Sequence, residues 1–217
     1  WQSLRFLTSD LRGDMEIAHE AVRQSWHALE FIPRKTRSER PLAEDAVRQS
    51  WHALKYIGKE LLGDLDIALE AVGQDPRAFE LISKELRANR KVVLLAVRQN
   101  GLLLAKASEE LRGDRQVVHE AVRQNRQALA FASEEMRKDK ALAIEALKLS
   151  GLSLQHLAED LKSDPKLIRQ AMGGNWAAAE FAVQPLFPEG DGLSHEFWLD
   201  CAARCPGYGG KRRPLDI

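Results

Sequence analysis

Glu20-Ala21-Val22-Arg23-Gln24-Ser25 is the stretch on which the fold depends, because it returns along the chain at a constant interval. Its Ala-Val-Arg-Gln core recurs at 46–49, 96–99 and 121–124, and altered copies begin at Ala71, Ala146 and Ala171. Each copy, or altered copy, lies 25 residues after the previous one, from Ala21 to Ala171. Seven copies in phase predict a repeat protein whose short units pack on their neighbours in series.

This interval divides the chain into repeats, which we number 1 to 8, with positions 1 to 25 in each. The repeats begin at Trp1, Trp26, Trp51, Pro76, Gly101, Arg126, Gly151 and Trp176. Apolar residues recur at positions 4, 7 and 11, as at Leu4, Leu7 and Leu11, and again around positions 17, 18, 21 and 22. Both spacings indicate one apolar helix face, so each repeat is predicted to hold two helices of roughly two to three turns.

Position 14 is expected to begin the second helix of each repeat. It is occupied in turn by Asp14, Glu39, Asp64, Asn89, Asp114, Asp139 and Asp164. Short acidic and amide side chains accept hydrogen bonds from free backbone amides at a helix start. Glycines 13, 63 and 113 precede three of these residues, and we expect them to form the left-handed turn that ends a helix. Pro165 suits the first helical position, where no amide hydrogen is needed.

Two segments depart from the repeat. In repeat 2, Pro33 is expected to end the first helix early, because proline removes an amide and clashes with the preceding turn. A basic, exposed loop is therefore predicted over 33–41. The second departure is 184–217, which is rich in Gly and Pro, keeps aromatic residues and fits no position of the repeat. We predict an irregular arm there that folds against the repeats or a partner.

The predicted fold is all-α. About seven tandem 25-residue helix-turn-helix units over 1–183 form an α-solenoid or a superhelical bundle, and the C-terminal extension 184–217 follows them. Helices of this length are marginal on their own, because helix nucleation is costly. They must therefore bury their apolar faces against neighbouring repeats.

Composition argues against two classes of protein. Lys plus Arg and Asp plus Glu each number 32, so the chain lacks the basic excess that a nucleic-acid binder normally carries. The longest apolar run, near 92–97, is far shorter than the roughly 20 residues that span a bilayer.

Two cysteines make no disulfide framework, which favours a reducing compartment. Because the sequence starts with Trp1, we expect a removed targeting peptide or further residues upstream.

Residues 94–125 carry a family resemblance. They include Leu-Leu-Ala-Val-Arg-Gln-Asn-Gly and Ala-Ser-Glu-Glu-Leu-Arg-Gly-Asp-Arg-Gln-Val-Val-His-Glu-Ala-Val-Arg-Gln-Asn, and 132–139 read Ala-Ser-Glu-Glu-Met-Arg-Lys-Asp. These motifs resemble the repeat of domain-of-unknown-function family 4116, which looks like two of the present units. The resemblance extends over about 4–183. It implies a helical interaction module, common in algae and other protists and found in some bacteria, in a plastid or the cytosol. It implies no catalytic residue and no cofactor.

Six histidines are candidates for chemistry. His27 and His52 share position 2, His19 and His119 share position 19, and His156 and His195 stand alone. Residues at one position lie at least one repeat apart, too far to share a metal at about 2 Å per bond. We therefore predict surface histidines and no metal site in the repeats. Ligation of a pigment or haem iron in a partner by a single histidine is the alternative.

Cys201 and Cys205 form a Cys-x-x-x-Cys motif with His195 nearby. A zinc site usually needs four ligands, and a fourth is missing here. Free thiols are the favoured interpretation, with a disulfide and a metal site as alternatives.

Two further positions have structural explanations. Acidic residues at position 20 lie three residues before arginines, as in Glu20–Arg23, Asp45–Arg48 and Glu120–Arg123, which is typical of a solvated, ion-paired helix face. Glutamines recur at position 24, namely Gln24, Gln49, Gln74, Gln99 and Gln124. We predict that they cap helix ends across the turn or form hydrogen bonds between repeats.

The candidate partner-binding residues are aromatic. Position 1 holds tryptophan in four repeats but Pro, Gly or Arg in the others, so we place it at a partly exposed turn between repeats. Large aromatic side chains at repeat edges can anchor a partner, and packing between adjacent repeats is the alternative. The predicted anchors are Trp26, Trp51, Trp176, Phe187, Phe197, Trp198 and Tyr208.

The functional expectation is a non-enzymatic helical-repeat scaffold. The sharper version is a peripheral subunit of a larger protein assembly in an organelle, specifically an algal photosynthetic complex of the photosystem type, as the resemblance suggests. One alternative is an adaptor that binds peptides or ligands transiently in a groove. The other is a thiol- or metal-dependent enzyme centred on His195, Cys201 and Cys205.

Overall fold

The computed structural model describes residues 1–182. It forms two compact units, one over Trp1–Ala132 and one that begins at Ser133. All regular secondary structure in the described residues is helical, which confirms the predicted all-α class and the 25-residue repeat. The predicted extension 184–217 lies outside the described residues.

Each complete repeat contains three helical segments. The long α-helices each have ten residues: α1 (Met15–Gln24), α2 (Arg40–Gln49), α3 (Leu65–Gln74), α4 (Arg90–Gln99), α5 (Arg115–Gln124), α6 (Lys140–Leu149) and α7 (Pro165–Gly174). The 3₁₀-helices that open the repeats are Gln2–Phe6, Trp26–Glu30, Trp51–Lys55, Pro76–Glu80, Gly101–Lys106, Arg126–Phe131, Gly151–His156 and Trp176–Phe181. The short middle helices are Ser9–Gly13, Arg34–Arg37, Lys59–Gly63, Leu86–Ala88, Glu109–Arg112, Glu134–Lys138 and Glu159–Lys162.

The first predicted helix of each repeat is therefore divided in two. In repeat 5, Ala107 and Ser108 both adopt extended backbone angles, which end the 3₁₀-helix and start the middle helix. The hydroxyl of Ser108 accepts a hydrogen bond from the Leu111 amide and caps the new start. A spacing of three between apolar residues suits a 3₁₀-helix as well as an α-helix, so the pattern alone did not separate them.

The predicted loop over 33–41 is wrong. Pro33 is the residue at which the helix Arg34–Arg37 begins, and it does not end a helix. Proline is tolerated there because the backbone nitrogen at a helix start donates no hydrogen bond within the helix. Thr36 is buried, and its hydroxyl donates a hydrogen bond to the Gly13 carbonyl at 3.0 Å. Helix α2 then starts at Arg40. The exposure of the basic side chains at 34, 35 and 40 agrees with the prediction, whereas the predicted loop does not.

The helix starts agree with the prediction from the sequence, whereas the helix ends do not. Six of the seven position-14 side chains accept hydrogen bonds from backbone amides as predicted, and Glu39 does not. The expected left-handed glycine turn is wrong. Gly113 has φ −99°, and neither Gly13 nor Gly63 takes a left-handed angle. The extended cap residue at position 14 turns the chain, so no left-handed residue is required.

The core lies between successive long helices. In the unit Trp1–Ala132, α1 packs on α2, and the series continues through α5; in the unit that begins at Ser133, α6 packs on α7. Their facing positions 18, 21 and 22 are buried and carry mostly Ala and Val. Ten-residue helices are marginal in isolation, so this burial supplies most of their stability.

A glutamine at position 24 forms hydrogen bonds through both ends of its amide, one within its own repeat and one to the preceding repeat. The oxygen of Gln74 accepts a hydrogen bond from the Trp51 amide at 2.8 Å. Its Nε2 donates to the Val47 carbonyl at 2.7 Å, at the open end of α2 in the preceding repeat. Gln49 and Gln124 make the same two kinds of bond, and Gln99 donates to Val72. The predicted capping between repeats is confirmed.

Backbone hydrogen bonds form a second link at the other edge of the repeats. The amide at position 8 donates to the carbonyl at position 12 of the preceding repeat, as from Ser83 to Leu62 at 2.9 Å and from Ser108 to Arg87 at 3.2 Å. The same bond joins Ala158 to Arg137 in the unit that begins at Ser133. Adjacent repeats are thus connected at both sides of the core.

Ion pairs join consecutive repeats at the starts of the long helices. A basic residue at position 15 of each even repeat contacts the aspartate that caps the next long helix, as in Arg90 to Asp114 at 2.9 Å and Lys140 to Asp164 at 2.9 Å. Arg40 contacts Asp64 at 3.3 Å. The Arg90 guanidinium lowers the pKa of Asp114 below its usual value. The residue that caps a long helix therefore also contacts the start of the long helix before it.

Replacing Gln74 with Ala should lower the free energy of unfolding by about 1–2 kcal/mol, because the hydrogen bonds to the Trp51 amide and the Val47 carbonyl are both lost. Gln99→Ala is the matched control. Pro76 has no amide hydrogen to offer the Gln99 oxygen, so that substitution should cost about half as much. Urea denaturation of both variants measures the difference, and equal losses would contradict the two-ended role of Gln74.

Two glycine substitutions should have opposite signs. A Cβ on buried Gly101 would lie 2.3 Å from the Ala121 carbonyl oxygen, so Gly101→Ala should destabilise the protein by about 1–3 kcal/mol. A Cβ on Gly73, inside α3, would meet nothing within 4 Å, so Gly73→Ala should stabilise by about 0.5–1 kcal/mol. Thermal unfolding monitored by circular dichroism measures the stability of both variants. An increase in stability for Gly101→Ala would refute the close contact.

Candidate protein-interaction site: an aromatic ladder on repeats 1 to 4

Five aromatic rings and one guanidinium form a row along one edge of the unit Trp1–Ala132. We call this row the aromatic ladder; in spatial order it contains Trp1, His27, Trp26, His52, Trp51 and Arg77. Successive ring centroids lie 5.8, 3.8, 6.0 and 4.0 Å apart, and all four pairs are stacked with interplanar angles of 16–29°. The Arg77 guanidinium covers the outer face of Trp51 at 5.3 Å.

The start of each 3₁₀-helix sets this geometry. Ser25 and Ser50 adopt extended backbone angles, which turn the chain sharply after α1 and α2. Their hydroxyls accept hydrogen bonds from the amides of His27 and His52 and contact the Nδ1 atoms of the same residues at 3.1 Å. Positions 1 and 2 are thereby held side by side, and each position-2 ring lies between two tryptophans.

A second aromatic row supports the first. Trp1 contacts Phe31 with centroids 6.1 Å apart, and Trp26 contacts Tyr56 at 5.9 Å. Each of these tryptophans therefore touches positions 2 and 6 of the following repeat. Aromatic pairs of this kind contribute about 0.5–1.5 kcal/mol beyond the burial of their surface. The tryptophans thus join repeats as well as forming the edge.

The ladder ends in a charged pair. The guanidinium of Arg77 binds both carboxylate oxygens of Asp75, with Nη2–Oδ2 at 2.7 Å and Nε–Oδ1 at 3.0 Å. Asp75 also accepts a hydrogen bond from the Arg77 amide at 2.8 Å. Hydrogen bonds from Arg77 lower the pKa of Asp75 to about 2. The pair holds Arg77 in place above Trp51, while most of the guanidinium side chain remains exposed.

Each tryptophan of the ladder is partly buried at the interface between repeats and partly exposed to solvent. Trp1, Trp26, Trp51, Phe31 and Tyr56 are each partly buried, and His27 is exposed. The predicted partial exposure of position 1 is confirmed in repeats 1 to 3. In repeats 5 and 7, position 1 is a buried glycine instead, so the core does restrict this position there.

The structure brings only part of the predicted site together. Trp26 and Trp51 lie in the ladder. The side chain of Trp176 is outside the description, as are Phe187, Phe197, Trp198 and Tyr208, together with His195, Cys201 and Cys205. The sequence interpretation missed His27, His52, Tyr56 and Arg77 as members of the site. The available signal was the recurrence of a Trp-His pair at positions 1 and 2 of two successive repeats.

The other polar candidates have structural partners. His19 Nδ1 lies 3.1 Å from the Asp45 carboxylate in the next repeat. The predicted pairs Glu20–Arg23 and Asp45–Arg48 are present at 3.8 and 3.1 Å, whereas Glu120 contacts Arg98 of the preceding repeat. Exposed pairs of this kind contribute little to stability. Within residues 1–182, no three metal-ligating side chains are grouped in an arrangement that could hold an ion.

The helices of the described region are all too short or too polar to cross a bilayer. Their arrangement defines an all-α tandem-repeat protein. Residues 40–87 and 89–137 match the family described as domain of unknown function (DUF4116), in two tandem copies. Each copy spans about two of the 25-residue repeats. No curated protein and no solved structure gives a significant match.

Protonation of the Asp75 carboxylate should lower the free energy of unfolding as the pH falls from about 4 towards 2. Its pKa is about 2 in the folded state and 3.8 in the reference state, so its contribution is present above about pH 4 and is lost as the pH falls towards 2. Asp75→Asn keeps the cap oxygen and removes the charge. The urea midpoint of this variant should therefore fall less than that of the native chain between pH 4 and pH 2.

Asp10→Asn is the control for this titration. Asp10 is an exposed aspartate for which the described residues provide no ion-pair partner. Its variant should follow the native pH profile. Superimposable profiles for Asp75→Asn and the native chain would show that the Asp75–Arg77 pair does not contribute.

Proposed function

We propose that this protein is a non-enzymatic helical-repeat scaffold that holds a protein partner on its aromatic ladder, within a larger assembly. The observation that carries the proposal is the continuous row of five partly exposed, stacked rings along one edge of repeats 1 to 3, closed by Arg77. The coarser description, a helical repeat domain of unknown function, follows directly from the fold and the family match.

The chemistry of the ladder favours a protein partner. Tryptophan, tyrosine and arginine are the residues most enriched among those that dominate binding energy at protein interfaces. Stacking and second-row contacts hold the rings before any partner arrives, so little conformational entropy is lost on binding. Because the rings stack face to face, the row offers the edges of indole and imidazole rings for apolar contact, while the ring nitrogens and Arg77 offer hydrogen bonds.

The overall charge supports the same partner class. With 32 basic and 32 acidic residues, the chain offers no general attraction to nucleic acid. Several basic side chains of the long helices form ion pairs along the repeats, such as Arg48 with Asp45 and Arg90 with Asp114.

A finer version of the proposal concerns location. A peripheral subunit of an organellar assembly, specifically an algal photosynthetic complex in the plastid, is supported by the family resemblance alone. This version names the compartment from which the native complex should be isolated. An adaptor that binds its partner transiently is the competing outcome of the same experiment.

The decisive experiment is the native mass of the protein in an extract of its source cells, with mass-spectrometric identification of the chains that migrate with it. A scaffold subunit should migrate in a defined assembly well above its own 24.4 kDa. Migration at the mass of the free chain would overturn the subunit proposal and favour the adaptor.

Variants then test the ladder itself. Trp26→Ala combined with Trp51→Ala should release the protein from the assembly, because two central rings are removed while the buried alanines and valines of the core stay intact. Leu102→Ala is the matched control, since Leu102 is an exposed apolar residue at position 2 of repeat 5, outside the ladder. Circular dichroism should show a folded chain in both variants. Retention of the double variant in the assembly would exclude the ladder as the binding surface.

A further inference from the structure

The aromatic ladder carries hydrogen-bond donors that have no protein partner. Trp1, Trp26 and Trp51 make no hydrogen bond through Nε1 within the described residues, and the Tyr56 hydroxyl beside them makes none either. The buried side-chain nitrogen and oxygen atoms without a partner in residues 1–182 are all arginine Nε atoms, so these ring groups must reach solvent. Each of repeats 1 to 3 therefore offers an unpaired donor at the edge of the ladder.

The two histidines and the arginine add further donors. Nδ1 of His27 and of His52 lies 3.1 Å from the hydroxyl of the serine two residues earlier. With this hydroxyl donating to Nδ1, the ring proton lies on Nε2, which has no partner in the part of the chain that the structure describes. Arg77 binds Asp75 through Nε and Nη2, and its Nη1 is unpaired on a side chain that is 73% exposed.

Such a surface is complementary to a partner with free acceptors and few donors. Indole and guanidinium groups only donate hydrogen bonds, and the edge of an aromatic ring is itself weakly positive. A polyproline II helix has no internal hydrogen bonds, so all of its backbone carbonyls are free, and each of its prolines lacks an amide hydrogen. An α-helix, in contrast, uses all but its last four carbonyls internally. The charge pattern of the ladder therefore favours an extended, proline-rich partner.

The spacing of the ladder matches the same backbone. Trp26 and Trp51 are at most about 10 Å apart, because the ring of His52 lies 6.0 Å from the first and 4.0 Å from the second. Trp1 and Trp26 are related in the same way through His27. A polyproline II helix presents the same face every three residues, or about every 9.3 Å. Same-face residues of a β-strand recur about every 6.7 Å and fall out of step with the repeats.

We propose that the ladder binds a proline-rich segment in the polyproline II conformation, with one turn of the segment on each of repeats 1 to 3. This inference rests on the proposed function and names the chemistry of the protein partner. Prolines at every third position contact the ring edges, and the carbonyls between them accept hydrogen bonds from the indole, imidazole and guanidinium groups. Seven residues span about 19 Å, which covers the two intervals from Trp1 to Trp51. Both surfaces are ordered before they meet, so little conformational entropy is lost.

The test uses the full chain and a synthetic peptide. The probe is a capped twelve-residue peptide with proline at every third position and alanine elsewhere, and the control peptide has its four prolines at every second position. Binding is followed through the indole Nε1–H signals in nitrogen-15 NMR spectra. The signals of Trp1, Trp26 and Trp51 should shift with the probe, and the control peptide should bind about tenfold more weakly because its contacts fall out of register. Equal binding of both peptides, or the absence of a shift, overturns the inference.

A conservative double variant tests the donors. Trp26→Phe combined with Trp51→Phe keeps two aromatic rings in the stack and removes two Nε1–H groups. Its affinity for the probe should fall about tenfold, because two hydrogen bonds are lost. Leu102→Ala is the matched control and should bind the probe as the native chain does, since Leu102 is exposed in repeat 5, outside the ladder. Circular dichroism verifies that both variants are folded, and native affinity in the folded double variant would refute the role of the donors.

The outcome is separable from that of the proposed function. Release of the Trp26→Ala, Trp51→Ala chain from its native assembly, without binding of the probe to the native chain, leaves the scaffold proposal intact and overturns the proline-rich partner. Preference for an amphipathic helical peptide over the probe overturns it in the same way. Binding of the probe, with retention of that double variant in the assembly, supports the polyproline II site and overturns the ladder as the assembly surface.

Discussion

Contact between consecutive repeats is the interaction on which this structure depends. A ten-residue α-helix is too short to be stable in water, and the 3₁₀-helices are shorter still. Each repeat becomes stable only when its Ala and Val positions are covered by the next one. The glutamine amides then fix the register, because Gln74 must meet the Trp51 amide and the Val47 carbonyl at the same time.

The apolar core and the ion pairs both join consecutive repeats, but they use different positions. The apolar core has similar residues in every repeat, so it follows the 25-residue interval. The ion pairs at the helix starts join a basic residue at position 15 of one repeat to the capping aspartate of the next, as at Arg90 and Asp114. The core and the charged surface therefore both connect each repeat to its neighbour.

The aromatic ladder combines a structural and a binding role in the same rings. Trp26 packs between His27 and His52 and also rests on Tyr56, which joins repeats 2 and 3. Its remaining surface is open to solvent. Only repeats 1 to 3 carry the Trp edge among the repeats whose side chains are described at position 1; later repeats have Pro, Gly or Arg there. The tryptophan edge is thus specific to repeats 1 to 3, whereas the apolar core is similar in the other repeats.

The sequence alone determined the helical class, the interval and the helix starts, since each depends on groups close together along the chain. Asp64 accepts hydrogen bonds from the amides two and three residues after it. The buried face of α3 follows from apolar residues spaced three and four apart. Only the tertiary structure decided the division of the first helix, the helix start at Pro33 and the placement of His27 between two tryptophans. The helix start at Pro33 and the placement of His27 depend on contacts between groups more than 20 residues apart, as between Thr36 and Gly13 or between Trp1 and His27. Such meetings depend on how one repeat stacks on the next, and a pattern of residues along one repeat does not contain that geometry.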